Sequence, residues 1–387
     1  MPPHGRVLER GKKSLVDVDA VVRQTLDCPE AYPPIRHAVV AGDRIVIACS
    51  AIVPGLEKLL ATVASYFVES GIGAENLTIL LSERCSFNSD SFNTILQTSM
   101  KQRTFGTSTA NKSANQVTVV TGPFEREEFA YLAADSQANP LYIHRLLGDA
   151  DFAICVAQFS TIRDVQQASV GGIVPWFCDK ETRKRWNAGM ITQFNGETGL
   201  SEFAKDVQWL LGPGVTMTVG NDWHEDASVV NVQANTKVSA KPFIDLAAGK
   251  SVNELPVDVV LGTLYSGDAA SASWSAFAET LERLARKLSV PRGRVVVMCK
   301  QLPSPTPAFR LLHEFAGEDD RIFDALSKSD DAYASDIAYI ASVMLNHSVF
   351  TFEHQPRPKI SLPWESIGSV EECEALLRTA DCPAVIV

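Results

Sequence analysis

The stretch Gly42-Asp43-Arg44-Ile45-Val46-Ile47-Ala48-Cys49-Ser50-Ala51-Ile52-Val53-Pro54-Gly55 decides the fold. Ile45, Val46 and Ile47 form an unbroken apolar run too short for a helix, the pattern of a strand buried on both faces. From Leu56 to Phe67 the apolar residues recur at helical spacing, so the chain passes from a strand through a tight loop into a helix. Gly71 supplies a residue able to take positive φ where that helix ends, and Leu77 to Leu81 is a second apolar strand. This order is a βαβ unit, and in open α/β sheets ligands lie beyond the carboxyl ends of the strands. The loops expected to meet a ligand are therefore Ser50 to Gly55 and Ser82 to Ser91.

Upstream, residues 1–15 read as a loose arm and Val16 to Leu26 as a short helix before Pro29, Pro33 and Pro34. Downstream, the polar turn Ser86 to Phe92 opens a helix to Met100, residues 101–116 read as an exposed connection, and Val117 to Val120 as a short strand. Pro140 suits a first helical turn, and Ile143, Leu146 and Leu147 share one face of a helix ending at Gly148. Phe152 to Val156 is an apolar strand, followed by a long loop from Gln158 to Pro175. Thr182 to Trp186 and Ser201 to Leu211 have helical character, Val215 to Val219 is a strand, and Asn221 to Asp226 turns into Val229 to Val232. Near Leu255-Pro256 the pattern restarts: strand Val257 to Leu261, amphipathic helix Ala272 to Leu288, strand Val295 to Met298, which is a second βαβ unit. Helical segments including Asp336 to Leu345, a strand Val349 to Phe352, a capping box Ser369-x-x-Glu372 and a last strand Ala384 to Val387 complete the chain. The reading is an α/β protein with two domains, residues 1–255 and 256–387.

At 387 residues the chain exceeds the usual size of a single core, and 45% hydrophobic against 21% charged residues is the composition of a folded globular protein. A net charge of −11 opposes an electrostatic grip on nucleic acid or an anionic membrane, leaving a small-molecule ligand or a protein partner. Eight cysteines are scattered with no Cys-x-x-Cys pair, several within apolar strands, which fits a reducing, cytoplasmic setting. The polar, basic start has no apolar stretch of signal-peptide length, and no run is long enough to span a bilayer.

Several residues carry two readings. Gly171-Gly172 either lets a backbone approach a cofactor or simply turns the chain. The helix start at Pro54-Gly55 either offers free N–H groups to a phosphate or only begins a helix. Cys85, with Arg84 beside it, is either an activated thiolate or an inert loop cysteine. His144 and His347 read as structural residues or as ligands. Trp176 and Trp186 either fill space beside a cofactor position or belong to a core.

The order of elements and the local wording resemble the lactate racemase (LarA) family, which uses a nickel-pincer nucleotide. The resemblance covers most of the chain and rests on Val22-Arg23-Gln24-Thr25-Leu26-Asp27-x-Pro29, on Ile143-x-x-Leu146-x-x-Asp149-Ala150-Asp151, and on Ala341-x-x-Met344-Leu345-x-His347-x-Val349-Phe350. It implies two domains, each with a mostly parallel sheet flanked by helices. It also implies racemisation or epimerisation of 2-hydroxy acids by hydride transfer to a nickel-bearing nucleotide attached through a lysine, with histidines as nickel ligand and proton-transfer pair.

The site residues depart from that family. Where its first loop reads Asp-x-Thr-Arg-Pro, this chain has Ala51-Ile52-Val53-Pro54-Gly55, leaving Ser50 and Gly55 as the cofactor-side candidates. Its Gly-x-His-Arg aligns with Arg84-Cys85-Ser86-Phe87, so a serine replaces the base. Its next histidine falls at Ile162 to Asp164, its Ser-Gly-Gly-x-Lys at Ser169 to Pro175 with Gly171 and Gly172 but no lysine, and its last histidine near Asn187. No catalytic residue is assigned by this alignment, and Arg84, Ser86, Asp164 and Asn187 are the candidate positions in the cleft. Three outcomes follow: an isomerase of the lactate racemase type using substituted residues, a non-catalytic binding or partner subunit, or an enzyme reusing the cleft for another ligand. Fold resemblance cannot choose among them, because function resides in the site. The missing lysine and histidines favour a diverged member whose ancestral chemistry is racemisation or epimerisation.

Overall fold

In the computed structural model of the chain, the described residues are 6–7, 17–30, 32–51, 55–85, 87–103, 117–158, 172–194, 206–207, 210, 214–221, 227–234, 258–264, 273–288, 292–315, 317–353, 362–378 and 385–386. Their strands, in chain order, are β1 (Arg6–Val7), β2 (Ile45–Cys49), β3 (Leu77–Leu81), β4 (Thr118–Thr121), β5 (Phe129–Ala134), β6 (Pro140–His144) and β7 (Phe152–Gln158). They continue as β8 (Gly214–Asn221), β9 (Ala227–Ala234), β10 (Val259–Thr263), β11 (Arg294–Cys299), β12 (Ser348–Glu353), β13 (Glu365–Ile367) and β14 (Val385–Ile386). The fold is α/β, with two six-stranded, mostly parallel sheets and the helices expected beside them. The chain divides into two compact units: Lys12–Thr182 with Ser201–Ala247, and Met1–Gly11 with Arg183–Leu200 and Ala248–Val387. These units are discontinuous in sequence, whereas the expected division at 255/256 treats each domain as one stretch.

The first unit is built on a sheet of order β4-β3-β2-β7-β8-β9, parallel except for the antiparallel β8–β9 pair. The apolar run that opened the sequence reading is its centre: β2 lies between β3 and β7, and all five of its residues are buried. Ile45, Ile47 and Cys49 face a core shared with helices Val18–Asp27 and Leu56–Glu69, while Val46 and Ala48 on the opposite face are also buried. Hence the uninterrupted apolar run in place of alternation.

Helix Leu56–Glu69 buries the nine consecutive residues from Leu59 through Phe67 and its start at Leu56, nearly its full circumference. Phe67 meets Phe152 edge-on with ring centroids 6.2 Å apart.

The segments that carried the family resemblance are joints of this scaffold. The Arg23 guanidinium reaches Asp19, Ser65 and Glu69, tying helix Val18–Asp27 to helix Leu56–Glu69. Asp27 accepts hydrogen bonds from Tyr66 Oη at 2.8 Å and from Arg36, and these hold its carboxyl below the usual range against the burial that would raise it. Asp151 accepts from the Arg44 backbone N–H at 2.9 Å, pinning the starts of β2 and β7 to one another.

Two expectations are corrected. The arm over residues 1–15 contains β1, whose Arg6 and Val7 pair in parallel with Val385 and Ile386. The helix expected from Pro140 is instead β6, paired antiparallel with β5; only Arg145–Gly148 is helical. Leu141 and Ile143 point inward and Tyr142 outward, a period of two that the helical reading overlooked, and Pro140 takes the first strand position, where it withholds no ladder donor. Elsewhere the helix expected at Thr182 to Trp186 runs over Lys180–Phe194. Residues 104–116 of the expected connection, most of Ser201 to Leu211, and 222–226 of the expected turn lie outside the described residues.

The second unit has the wholly parallel order β1-β14-β10-β11-β12-β13. Helices Trp274–Ala285 and Ala334–Asn346 pack into its core through Trp274, Phe277, Leu281, Ile337 and Ile340. Trp274 stacks on Phe309 at 4.3 Å between centroids and donates its indole N–H to Ser304 O at 2.8 Å, so a large apolar ring is buried without orphaning its donor. At Gly262 a Cβ would meet Leu284 Cδ2 at 2.6 Å, which is why strand β10 carries glycine under that helix. At the final helix Val370–Arg378, Ser369 Oγ accepts from Glu372 N at 3.1 Å, while the Glu372 carboxylate takes the N–H of Gly368, one residue before the capping-box position.

Phe67→Ala should cost about 3–5 kcal/mol, since it removes a fully buried ring from the rigid side of a parallel sheet. Urea unfolding followed by circular dichroism measures the difference; a loss under about 1 kcal/mol would mean the site collapses around the deletion.

Candidate functional site

The carboxyl ends of β2, β3 and β7 lie side by side because those strands are neighbours in one parallel ladder. After Cys49 the chain presents Ser50, which is buried and donates its N–H to Val156 O at 3.0 Å. After Leu81 the chain turns tightly: Ser82 N donates to Cys49 O at 3.0 Å and Cys85 N to Ser82 O at 3.0 Å. That turn delivers Arg84 and Cys85 to the mouth of the sheet. Gln158 is the last residue of β7, and the chain returns at Gly172.

Gly172 has φ +67°, a left-handed conformation that favours glycine, and a Cβ there would press into Ser50 Oγ and lie 3.2 Å from Ala157 Cβ. The glycine is thus required by a close approach of the 172 backbone to the end of β2. Its neighbour Gly171 lies outside the described residues.

Arg84 is only 8% exposed. Its guanidinium lies 4.9 Å from the centre of the Trp176 ring, Nη2 is 3.5 Å from Gln158 Oε1, and Nε is buried without a hydrogen-bond partner. Taking a guanidinium out of water costs several kcal/mol, of which a cation–π contact offsets about 0.5–2 kcal/mol and a 3.5 Å contact to a neutral amide little. Among the described residues no carboxylate pairs with it.

Cys85 Sγ lies 3.4 Å from Ser82 Oγ and donates to the carbonyls of Cys49, at 3.3 Å, and Ala51, at 3.4 Å. The neighbouring Cys49 thiol lowers the Cys85 pKa against the effect of burial, with help from Ser82 and the Arg84 charge, whereas burial drives Cys49 well above the ordinary thiol value. Burial likewise pushes Cys155 up to about 12.

Of the expected positions, the structure brings Ser50, Arg84 and Gly172 together. Ser86 and Asp164 lie outside the described residues. Gly55 caps helix Leu56–Glu69 with φ +68° and no side-chain hydrogen bond. Asn187 belongs to the other unit, where it is fully buried and its Nδ2 donates to the carbonyls of Ser329, at 3.1 Å, and Asp331, at 3.0 Å, clamping a loop to helix Lys180–Phe194. Sequence reasoning overlooked Gln158; its signal was a polar residue at the carboxyl end of an otherwise apolar strand. Trp176 was singled out, and its partner is the Arg84 guanidinium.

The nickel-pincer nucleotide implied by the resemblance calls for a lysine to attach it and imidazoles to move protons. The mouth offers a hydroxyl, a guanidinium, a carboxamide and thiols, and no lysine stands between Ser169 and Asp179. Of the described histidines, His144 Nδ1 accepts from Leu146 N at 3.3 Å and caps a helix, His37 lies in the short helix Ile35–His37, and His313 and His347 lie in the other unit, on helix Pro307–Glu314 and at the end of helix Ala334–Asn346. Among the described residues no group of three His, Cys, Asp or Glu side chains could hold a metal. The described residues of the mouth do not fit that cofactor.

His144 is buried beside Phe124, with ring centroids 4.5 Å apart, and desolvation lowers its pKa although Glu128, 3.8 Å from Nε2, acts to raise it. A lowered folded pKa means the stability His144 contributes is whole above the ordinary value of 6.5 and is lost as pH falls below it. His144→Asn, which keeps a cap acceptor but does not titrate, should be less stable than the native chain at pH 7.5 and lose less on going to pH 5. Urea midpoints at both pH values check this, and equal pH slopes would contradict it.

Gly172→Ala should destabilise by about 1–2 kcal/mol from the left-handed backbone alone, and Ser50→Gly in the same chain should recover only the part due to the Oγ clash. A double-mutant cycle in urea measures that coupling, and strict additivity would show that the two residues do not touch.

No protein-family model and no curated protein sequence matches the chain. No helix among the described residues is long and apolar enough to cross a membrane. Among solved structures, the chain is similar to the lactate racemase apoprotein from Thermoanaerobacterium thermosaccharolyticum, at 12% sequence identity and a TM-score of 0.64 over 96% of this chain and 90% of that one. At that identity the likeness establishes the fold: this chain has a lactate-racemase-like architecture over nearly its whole length.

Proposed function

We propose that this protein is a diverged relative of the lactate racemases, with racemisation or epimerisation of 2-hydroxy acids by hydride transfer as its ancestral chemistry. In this reading it has lost the nickel-pincer nucleotide and binds a small molecule at the carboxyl ends of β2, β3 and β7. The observation that carries it is the composition of that mouth: parallel strand ends and a close Ser50–Gly172 approach form a ligand-side edge, while no lysine or imidazole stands among the described side chains there. A hydroxyl and a guanidinium do not replace an imidazole pair.

The test is native mass spectrometry with metal analysis on the chain co-expressed with the nickel-pincer biosynthetic enzymes and supplied with nickel. A known racemase loaded in the same cells is the control. The expected result is a chain mass without nickel or nucleotide while the control loads. A nickel-bearing adduct would overturn the loss of the cofactor and favour an isomerase working through substituted residues.

A further inference from the structure

Arg84 is a buried cation for which the fold supplies no counter-charge among the described residues. Its surroundings are an aromatic face at 4.9 Å, a neutral carboxamide at 3.5 Å, and a buried Nε–H with no acceptor. It sits on the turn after β3, at the strand ends where α/β sheets hold ligands. A structural arginine is held by carboxylates, as Arg23 is by Asp19 and Glu69 in the same unit. At Arg84 the planar fork is instead oriented by Trp176 and Gln158 and left with donors to spend.

We propose that Arg84 anchors an oxyanion, the phosphate or carboxylate of a small-molecule ligand, with Trp176 fixing the plane of the guanidinium and Gln158 its rotation. The inference rests on the reading of the β2, β3 and β7 ends as a ligand site. A guanidinium matches two oxygens of either group with parallel N–H bonds, and a buried position strengthens each bond relative to water. An anion there would also supply the counter-charge that the described residues lack, so binding and folding are coupled: the ligand stabilises the native chain by mass action.

The experiment compares the full chain with Arg84→Met in thermal unfolding, using inorganic phosphate, acetate, neutral acetamide and chloride at matched ionic strength. In parallel, the rate of Cys85 alkylation, read by peptide mass, reports occupancy of the mouth, because Cys85 adjoins Arg84. The expected result is that phosphate or acetate raises the native midpoint beyond chloride and slows Cys85 alkylation. Whichever of the two acts names the source of the oxyanion. Arg84→Met should fold with a midpoint equal to or above that of the anion-free native chain and bind the active anion about tenfold or more weakly. The same anion response in Arg84→Met, or a variant that fails to fold, would overturn the proposal, the second by making Arg84 a structural cation. Protection of Cys85 by acetamide as well as by acetate would overturn the anion while keeping the mouth as a ligand site. No protection by any probe would overturn both.

Discussion

Burial of β2 on both faces is the constraint on which the first unit depends. A strand with parallel neighbours on either side and a helix-lined core beneath it has no free backbone groups and no exposed side chain, so Ile45 to Cys49 must all be apolar and in register. The polar chemistry of the unit is thereby displaced to the strand ends. Ser50 is the first residue after β2 able to face a ligand, Gln158 the last of β7, and Arg84 comes on the first turn after β3. One packing rule thus sets both the stability of the sheet and the location of the site.

The same rule separates two kinds of charge. Asp27, Asp151 and Arg23 are tied into local pairs that join helices and strand starts, and they sit away from the strand carboxyl ends. Each of those pairs holds elements in place, and losing one partner would strand the other. Arg84 differs in having an aromatic platform and, among the described residues, no carboxylate partner. Asn187 illustrates the opposite case, a polar side chain at an expected catalytic position whose donors are consumed by backbone carbonyls.

Most of the architecture was legible in the chain. The runs at 45–49, 77–81 and 152–158 are legible as strands because each is a short, largely apolar run bounded by turn residues, and the amphipathic periods at 56–69 and 274–285 are helices. Sequence misread 140–144 because a strand of five residues offers too few repeats to separate a period of two from 3.6, and Pro140 is permitted at the start of either element. It also overlooked β1, since two residues gain a strand identity only from the partner strand that accepts them.

The sequence by itself determined the βαβ order, the apolar centre of each sheet, and the absence of lysine and histidine from the loops 50–55, 82–91 and 158–175; all are properties of residue type and local spacing. Only the tertiary structure decided which of the remaining polar residues meet. Gln158, Trp176 and Arg84 come from three separate segments, and their contact exists because adjacent parallel strands end at one edge. The need for glycine at 172 likewise arises from Ser50, more than a hundred residues earlier, whose approach no local pattern records.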